Sequence, residues 1–553
     1  MSNAYSGRFV DQPELIKSAY DDLFSTPPML VALDTETVSL KDRTVLGIGI
    51  ATPLNDRFYF DIFEPGLPWH LVLPSATRKI WHNSTFDLSK EVLGKFGADI
   101  DNIEDTAIIT RLLNIDTELS AACFYTSTQT ESANTVMTRY NVKNMRDLPW
   151  EIVANKCMRD AAVTMELFLA FYGKVDKKYY EMQRKMLSIL LHMSRRGFGV
   201  DQELALAIDK ELESSVALFI NTCKAAGFNP LSPEQVGITL SDVGALYPSR
   251  GRPSTEDSVL ESISHPYAAL TLLSRKYNKL HGVVHRIAAS NRAYSHFHMT
   301  AATGRVTSRD IQMHNLPTGA HKGDIIPKAG PVRRVFTPDS GWITRFDASQ
   351  IELRVLAYFS GDPVMHRALS VPIEDKIHDI HGTTQTALGL SNRIDAKAFN
   401  FGGFSYGGGT DTMSKATGIK DLQLVKSYLQ QLKDTYRVAS DWIERQRYQG
   451  LRDMKVQTLF GRTLRLDQNL GADNSSDNHI MNMAVAYTIS GSAYEIFALM
   501  LIELAKEVPI EDFILQVHDE GLLDGEYNIP VDRLAHISPL WTPVEVSHIR
   551  RWQ

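Results

Sequence analysis

A chain of 553 residues that is 43% hydrophobic and 22% charged is long enough for roughly two to four domains with real cores. A net charge of −7 argues against indiscriminate nucleic-acid binding, because phosphate contacts need local positive charge. No apolar run reaches the ~18 residues of a membrane span and no basic-then-apolar leader opens the sequence, so no membrane partner and a cytoplasmic setting are expected. Cys123, Cys157 and Cys223 have no CxxC or metal-like spacing, which points away from disulfides and structural zinc.

In chain order, Met29–Leu33, Val45–Ala51 and Phe58–Phe60 read as strands, and residues 85 to 175 as mostly helical, with an apolar 3.6-period over Ala161–Tyr172. Strands followed by helices suit an α/β domain. Asp34 and Glu36 are two apart, so on a strand both carboxylates face one way. With Asp87 and Asp160 they would make an anionic pocket of the kind two-metal hydrolysis of a phosphodiester needs. Taken singly, each is more often a surface acid.

From 176 to 300 the pattern is helical, with long periodic stretches over Tyr180–Arg195 and Leu204–Ala226. Breaks fall at Gly197, at Gly227-Phe228-Asn229-Pro230 and at Gly251-Arg252-Pro253. Between Thr303 and Arg334, Arg305, Arg309, Lys322, Lys328, Arg333 and Arg334 outnumber Asp310 and Asp324. Such a stretch is either a solvated basic face or a nucleic-acid contact.

Two strings nearly 170 residues apart carry the most chemistry: Phe346-Asp347-Ala348-Ser349-Gln350-Ile351-Glu352-Leu353-Arg354 and Leu515-Gln516-Val517-His518-Asp519-Glu520. Each ends an apolar, strand-like run on an aspartate, where backbone can hold a carboxylate rigidly for a divalent ion. The pair suggests two-metal phosphoryl transfer. Between them, Arg393, Lys397 and Phe401 fall at i, i+4 and i+8, which sets two cations and a ring along one helix face, as a triphosphate requires. An exposed helix with a buried aromatic would show the same spacing.

At these residues the chain resembles the family A DNA polymerases, over roughly residues 30 to 525. The resemblance implies a mixed α/β multidomain protein: an RNase H-like 3′–5′ exonuclease domain over 1–175, then a right-hand polymerase. Its thumb would be 176–300, its palm 301–360 and 456–553, and its fingers 361–455. The strings GFNPLSPEQVG and GRPSTEDSVLE resemble the family's thumb. Asp347 and Asp519 are implied as metal ligands, with the Ala348 carbonyl assisting. Glu352 matches a steric gate against the ribose 2′-hydroxyl, and His518 and Glu520 match the catalytic turn near the primer end.

Arg305, in the TGR segment, is implied in the minor groove of the primer-template. Lys397 is implied as general acid for pyrophosphate, while Arg393, His381, Gln350, Arg354 and Phe401 are implied on the nucleotide. A phenylalanine at 401 implies discrimination against dideoxynucleotides. The N-terminal acids Asp34, Glu36, Asp87 and Asp160 match the ligands of a DnaQ-like proofreading exonuclease, Leu40 its wedge on the terminal base, and Asn83 its supporting amide. The implied cofactor is Mg²⁺, two ions at each site, with Mn²⁺ as the alternative. The implied partners are primer-template DNA and deoxynucleotides, for a monomer without a preceding 5′-nuclease, in a host cytoplasm if it serves a phage. A single-subunit RNA polymerase, or a nuclease whose second half only binds DNA, are the rival readings.

Four departures from the family pattern stand out. Lys156 occupies the place of the tyrosine that orients water one helical turn before the last exonuclease aspartate, so a weakened exonuclease is expected. Tyr406 lies five residues beyond Phe401 where the family spaces its aromatics by four. Either Ser405 takes the tyrosine's place, or the Gly402-Gly403 pair absorbs a bulge that restores Tyr406, which is the preferred reading. Asn482, Ala486 and Ser490 replace the family's Arg, Asn and Gln contacts. After the catalytic turn about 33 residues remain, too few for the family's full helix and final strand, with Val544-Glu545-Val546 expected to supply a strand alone; Val456–Arg462 is expected as a strand.

Overall fold

The computed structural model describes residues 7–10, 30–61, 77–246, 254–299, 301–318, 324–372, 374–467 and 476–552. Lys322 and the Gly251-Arg252-Pro253 break lie outside them. The N-terminal part is a six-stranded sheet of β1 (Gly7–Val10), β2 (Leu30–Thr37), β3 (Val45–Ala51), β4 (Arg57–Asp61), β5 (Arg78–Trp81) and β6 (Ile103–Asp105), in the order β1-β4-β3-β2-β5-β6. β2, β3 and β4 pair antiparallel, and β2, β5 and β6 parallel. β3, with the sequence VLGIGIA, is buried along its whole length, as a central strand covered on both faces should be.

The helix Trp150–Phe171 lies on this sheet. It begins before the expected Ala161 because Val153, Ala154 and Cys157 continue the buried stripe through a polar half-turn that carries Asn155, Lys156 and Arg159. Its close approach requires Gly49, since a Cβ there would stand 2.5 Å from the Cys157 carbonyl oxygen. That contact brings the helix face bearing Lys156 and Asp160 against β2.

The helix Lys177–Arg196 stops at Gly197, whose φ of 66° lies in the left-handed region. Strand Phe198–Val200 follows and pairs with Phe336–Thr337 and Arg292–Ala293. Gln202–Ala225 packs against Pro266–Ala288 as a pair of long helices.

The C-terminal half is built on a four-stranded antiparallel sheet in the order Phe513–Val517, Glu520–Asp524, Ile343–Ala348, Val544–Ile549. Under it runs Asp477–Leu504, a helix of 28 residues. Among the described residues this helix alone is long and apolar enough to cross a membrane, and it is mostly buried in the protein core. Its Phe497 stacks on Phe346, and Gly521 on the neighbouring strand leaves room for the Phe346 ring, since a Cβ would come within 2.2 Å of it.

Two expectations are corrected here. Val456–Arg462 is a hairpin rather than one strand. Lys455–Gln457 pairs with Thr463–Arg465 around a turn in which Gly461 has φ 83°. The final segment also holds more than a strand: a short helix Val531–Ala535 precedes Val544–Ile549, which pairs along all of Ile343–Ala348.

Trp552 closes the core. It is fully buried between Phe198 and Phe336, with the Arg333 guanidinium 4.3 Å from its ring, and its Nε1–H donates to Glu520 at 3.0 Å. Trp552→Ala should therefore cost about 3–5 kcal/mol, seen as a lower urea midpoint for the C-terminal half. An unchanged midpoint would show that this ring is not part of the core.

Candidate active site

Phe513–Val517 and Glu520–Asp524 are joined by His518 and Asp519, and His518 takes φ 56° to close the turn. Asp347 stands opposite Glu520 in register, and the Ala348 N–H donates to the Asp519 carbonyl at 2.9 Å. The backbone thus fixes two carboxylates side by side at one end of the sheet. Burial and then the charge of Asp519 push the Asp347 carboxyl up to about 7, and burial also raises Asp519. Two acids that resist ionising together make a site that a cation completes.

Beside Asp519 a cleft of about 230 Å³ brings together Arg305, Glu352, Lys397, Phe401 and His518. Glu352 lies in the first turn of Ile351–Ser360, a helix entered through left-handed Gln350 at φ 55°. Its carboxylate meets the Arg305 guanidinium, the Tyr406 hydroxyl and, at 3.1 Å, the Ser490 hydroxyl. Arg305 is set by a second contact between motifs. Arg462, from the hairpin, donates to the Thr303 carbonyl and occupies the space a Cβ on Gly304 would need. Behind it, buried Glu495 accepts from the Tyr179 hydroxyl at 2.8 Å and faces Arg462 at 3.7 Å.

Arg393 and Lys397 share the helix Arg393–Ala398, which passes directly into a π-helical turn over Phe399–Ser405. The Tyr406 N–H donates to the Phe401 carbonyl, five residues back, at 3.1 Å. The turn absorbs the extra residue and returns Tyr406 to the cleft, while Ser405 turns inward to donate to the Asn400 carbonyl at 2.9 Å. Gly403 permits it, since a Cβ there would lie 2.8 Å from Leu429.

The N-terminal acids form a second pocket. Asp34 and Glu36 lie within β2, Asp160 on Trp150–Phe171, and one carboxylate oxygen from each lies within 4.8 Å of the others. Asp87 ends the short helix Ser84–Asp87 and accepts from the Thr35 N–H at 3.2 Å and from the Thr35 hydroxyl. Burial, reinforced by Asp160, Glu36 and Asp87, raises Asp34 well above the usual carboxylate range, and burial pushes Asp87 up to about 7. Into this pocket reaches Lys156, whose ammonium is 2.8 Å from Glu36 and 2.6 Å from Asp160. Burial alone would lower its pKa, but attraction to Asp160, Glu36 and Asp34 outweighs that and raises it. The donor set suits divalent ions, but two ions do not fit beside an ammonium that already holds the Glu36 and Asp160 oxygens.

A family model described as DNA polymerase family A matches residues 201–536. The chain belongs to this family. It is 30% identical to a thermostable DNA polymerase I of Thermus filiformis over 434 residues, covering 70% of this chain and 50% of that protein. It is 28% identical to DNA polymerase I of Helicobacter pylori over 400 residues, covering 67% of this chain and 44% of that one. The chain thus spans about half the length of these curated relatives. In fold it is similar to the POL domain of Pol1 from M. smegmatis in complex with DNA primer-template and dNTP, with TM-score 0.72, 20% identity and 99% of both chains covered.

Within this family A chain, several expected site residues lie away from the cleft. Arg354 is a correction: it is buried, donates to the carbonyls of Ser349 and Leu369 at 2.8 Å each, and lies over Trp541, so it braces the helix base rather than a substrate. Arg333 is likewise spent on the Leu316 carbonyl and the Trp552 ring, which leaves Arg309, Lys328 and Arg334 as the exposed described cations of its basic stretch beside half-buried Arg305. Arg393 is bound by both guanidinium arms to Asp379, which also accepts from Gln350 at 3.1 Å. His381 is buried beside Phe401 and Asn400, and burial pushes its pKa down to about 3. Leu40 is 75% exposed beside the N-terminal pocket's strand, and Asn83 stands just before the helix that carries Asp87, its side chain making no capping bond.

Sequence reasoning missed Arg345, which holds Glu520 and lies 3.7 Å from Asp347. The i, i+2 spacing of Arg345 and Asp347 on one strand was the available signal. No spacing signal pointed to Trp552 or Asp379.

Proposed function

We propose that this chain is a template-directed DNA polymerase that adds deoxynucleotides to a primer 3′-hydroxyl, and that its N-terminal domain is a 3′–5′ exonuclease weakened by Lys156. The observation that carries the first part is the convergence of Asp519 with Arg305, Glu352, Lys397 and Phe401 around one cleft, with Asp347 set beside Asp519 by the strand pairing. We assign residues 176–300 as thumb, 301–360 with 456–553 as palm, and 361–455 as fingers. The paired carboxylates, the Ala348 carbonyl and the raised pKa of Asp347 suit a cation site. Two Mg²⁺ ions held there, or Mn²⁺, would lower the pKa of the attacking hydroxyl and clamp the triphosphate.

The protein's own groups do the rest. Lys397 faces the position of the leaving phosphates, where its charge offsets the negative charge that grows and its proton can be given to pyrophosphate. Phe401 supplies a face for sugar and base. Glu352, pinned by Tyr406, Ser490 and Arg305, stands where a 2′-hydroxyl would have to go. Arg305 is then shared between Glu352 and the duplex minor groove, and Arg393 must exchange Asp379 for triphosphate as the fingers close.

The N-terminal reading rests on the four acids and on the sheet. β2, β3 and β4 run antiparallel while β2, β5 and β6 run parallel, an order that supports an RNase H-like fold.

Asp519→Ala should abolish primer extension while leaving primer-template affinity within a few-fold, and retained synthesis would refute the mechanism. Phe401→Tyr should raise dideoxy incorporation relative to deoxy; an unchanged ratio argues against the placement of that ring. Wild type should degrade single-stranded DNA slowly and Asp34→Ala not at all, so equal rates in a gel assay would remove the exonuclease.

A further inference from the structure

We propose that Lys156 is a tethered cation that occupies one of the two cation positions in the N-terminal carboxylate pocket, so that the pocket takes up one divalent ion fewer than its four acids would otherwise hold. The inference rests on the exonuclease reading only for its consequence in hydrolysis, not for its geometry.

One carboxylate oxygen each of Asp34, Glu36 and Asp160 lies within 4.8 Å of the others where the helix Trp150–Phe171 meets β2, Glu36 and Asp160 buried and Asp34 half-buried. Carboxylates this close and this dry repel unless a positive charge lies among them. Two divalent ions would balance four acids, and here the ammonium already stands 2.8 Å from Glu36 Oε1 and 2.6 Å from Asp160 Oδ2. Mg²⁺ binds oxygen at about 2.0–2.1 Å, so an ion bridging those same two oxygens would collide with the nitrogen.

The lysine cannot easily withdraw. It is one helical turn before Asp160 on the same helix, its side chain is 11% exposed, and Gly49 locks that helix onto the sheet. Two further oxygens of the pocket are also engaged: the Thr130 hydroxyl bonds Asp160 Oδ1, and Thr35 bonds Asp87 Oδ1. The carboxylates of Asp34 and Asp87, which Lys156 does not hold, are what remains for an ion. A lysine here therefore does more than fail to orient water; it removes a cation from the site and keeps the pocket folded without it.

The test uses the full chain carrying Asp347→Ala and Asp519→Ala, so that the other carboxylate pair takes up no metal. Mn²⁺ uptake is measured by electron paramagnetic resonance, and melting temperature with and without Mn²⁺. Lys156→Gln should bind one more Mn²⁺ per chain, or bind it at least about tenfold more tightly, since a buried like charge has been removed. It should also melt lower than its parent without Mn²⁺ and gain more from Mn²⁺ than the parent, which takes up one ion fewer. Adding Asp160→Asn should abolish the gain. Equal uptake and equal response in both proteins would overturn the proposal.

If Lys156→Gln does not fold in metal-free buffer, refolding in Mn²⁺ supports the tethered cation, and failure to refold there overturns it. In the chain with Asp347 and Asp519 intact, Lys156→Tyr separates the two readings. Gained Mn²⁺ without degradation of primer ends sinks the exonuclease and keeps the tethered cation. Gained degradation without altered Mn²⁺ uptake does the reverse.

Discussion

Repulsion between carboxylates, imposed by backbone pairing, is the constraint that organises this molecule. At the C-terminal sheet the ladder places Asp347 beside the His518-Asp519 turn whatever the charges prefer, and the Ala348 N–H to the Asp519 carbonyl is the bond that closes the distance. At the N-terminal sheet, β2 presents Asp34 and Glu36 together, and Gly49 lets a helix deliver Asp160 onto them. Each arrangement stores electrostatic energy that a cation relieves. The two sheets resolve the conflict differently: one leaves Asp347 raised to about 7 and partly exposed, and the other fills part of its pocket with Lys156.

Much of the remaining architecture serves to hold the acids still. Glu520 is fixed by Arg345 and Trp552, so the strand beside Asp347 cannot slide. Glu352 is fixed from three directions, and the Arg305 that contacts it is positioned through Arg462, Glu495 and Tyr179. Glu352 is held by three partners at once, which favours a single arrangement of the cleft over several. The π-helical turn before Tyr406 belongs to the same design, because it converts a one-residue insertion into a side chain aimed at Glu352.

A good deal of this was legible in the chain. The strand spacing of Asp34 and Glu36, the aspartates at the ends of apolar runs and the helical spacing of Arg393 and Lys397 depend on local periodicity, which sequence records directly. Reading failed where a residue's role depends on what another element brings to it. Arg354 and Arg333 look like substrate cations in a row of letters, but each is surrounded by carbonyl oxygens and a tryptophan from distant segments. The hairpin at Gly461 was hidden because its two strands are three residues each, too short to show alternation.

The sequence by itself determined the family, the acids of both pockets and the elements that carry them, because these follow from residue type and period along one strand or helix. Only the tertiary structure decided what those residues face. It set the side of the π turn on which Tyr406 emerges, the exclusion of Arg354 from the cleft and the placement of the Lys156 ammonium between Glu36 and Asp160. Charge acts through space, and the distances that govern it are fixed by packing between segments far apart in the chain.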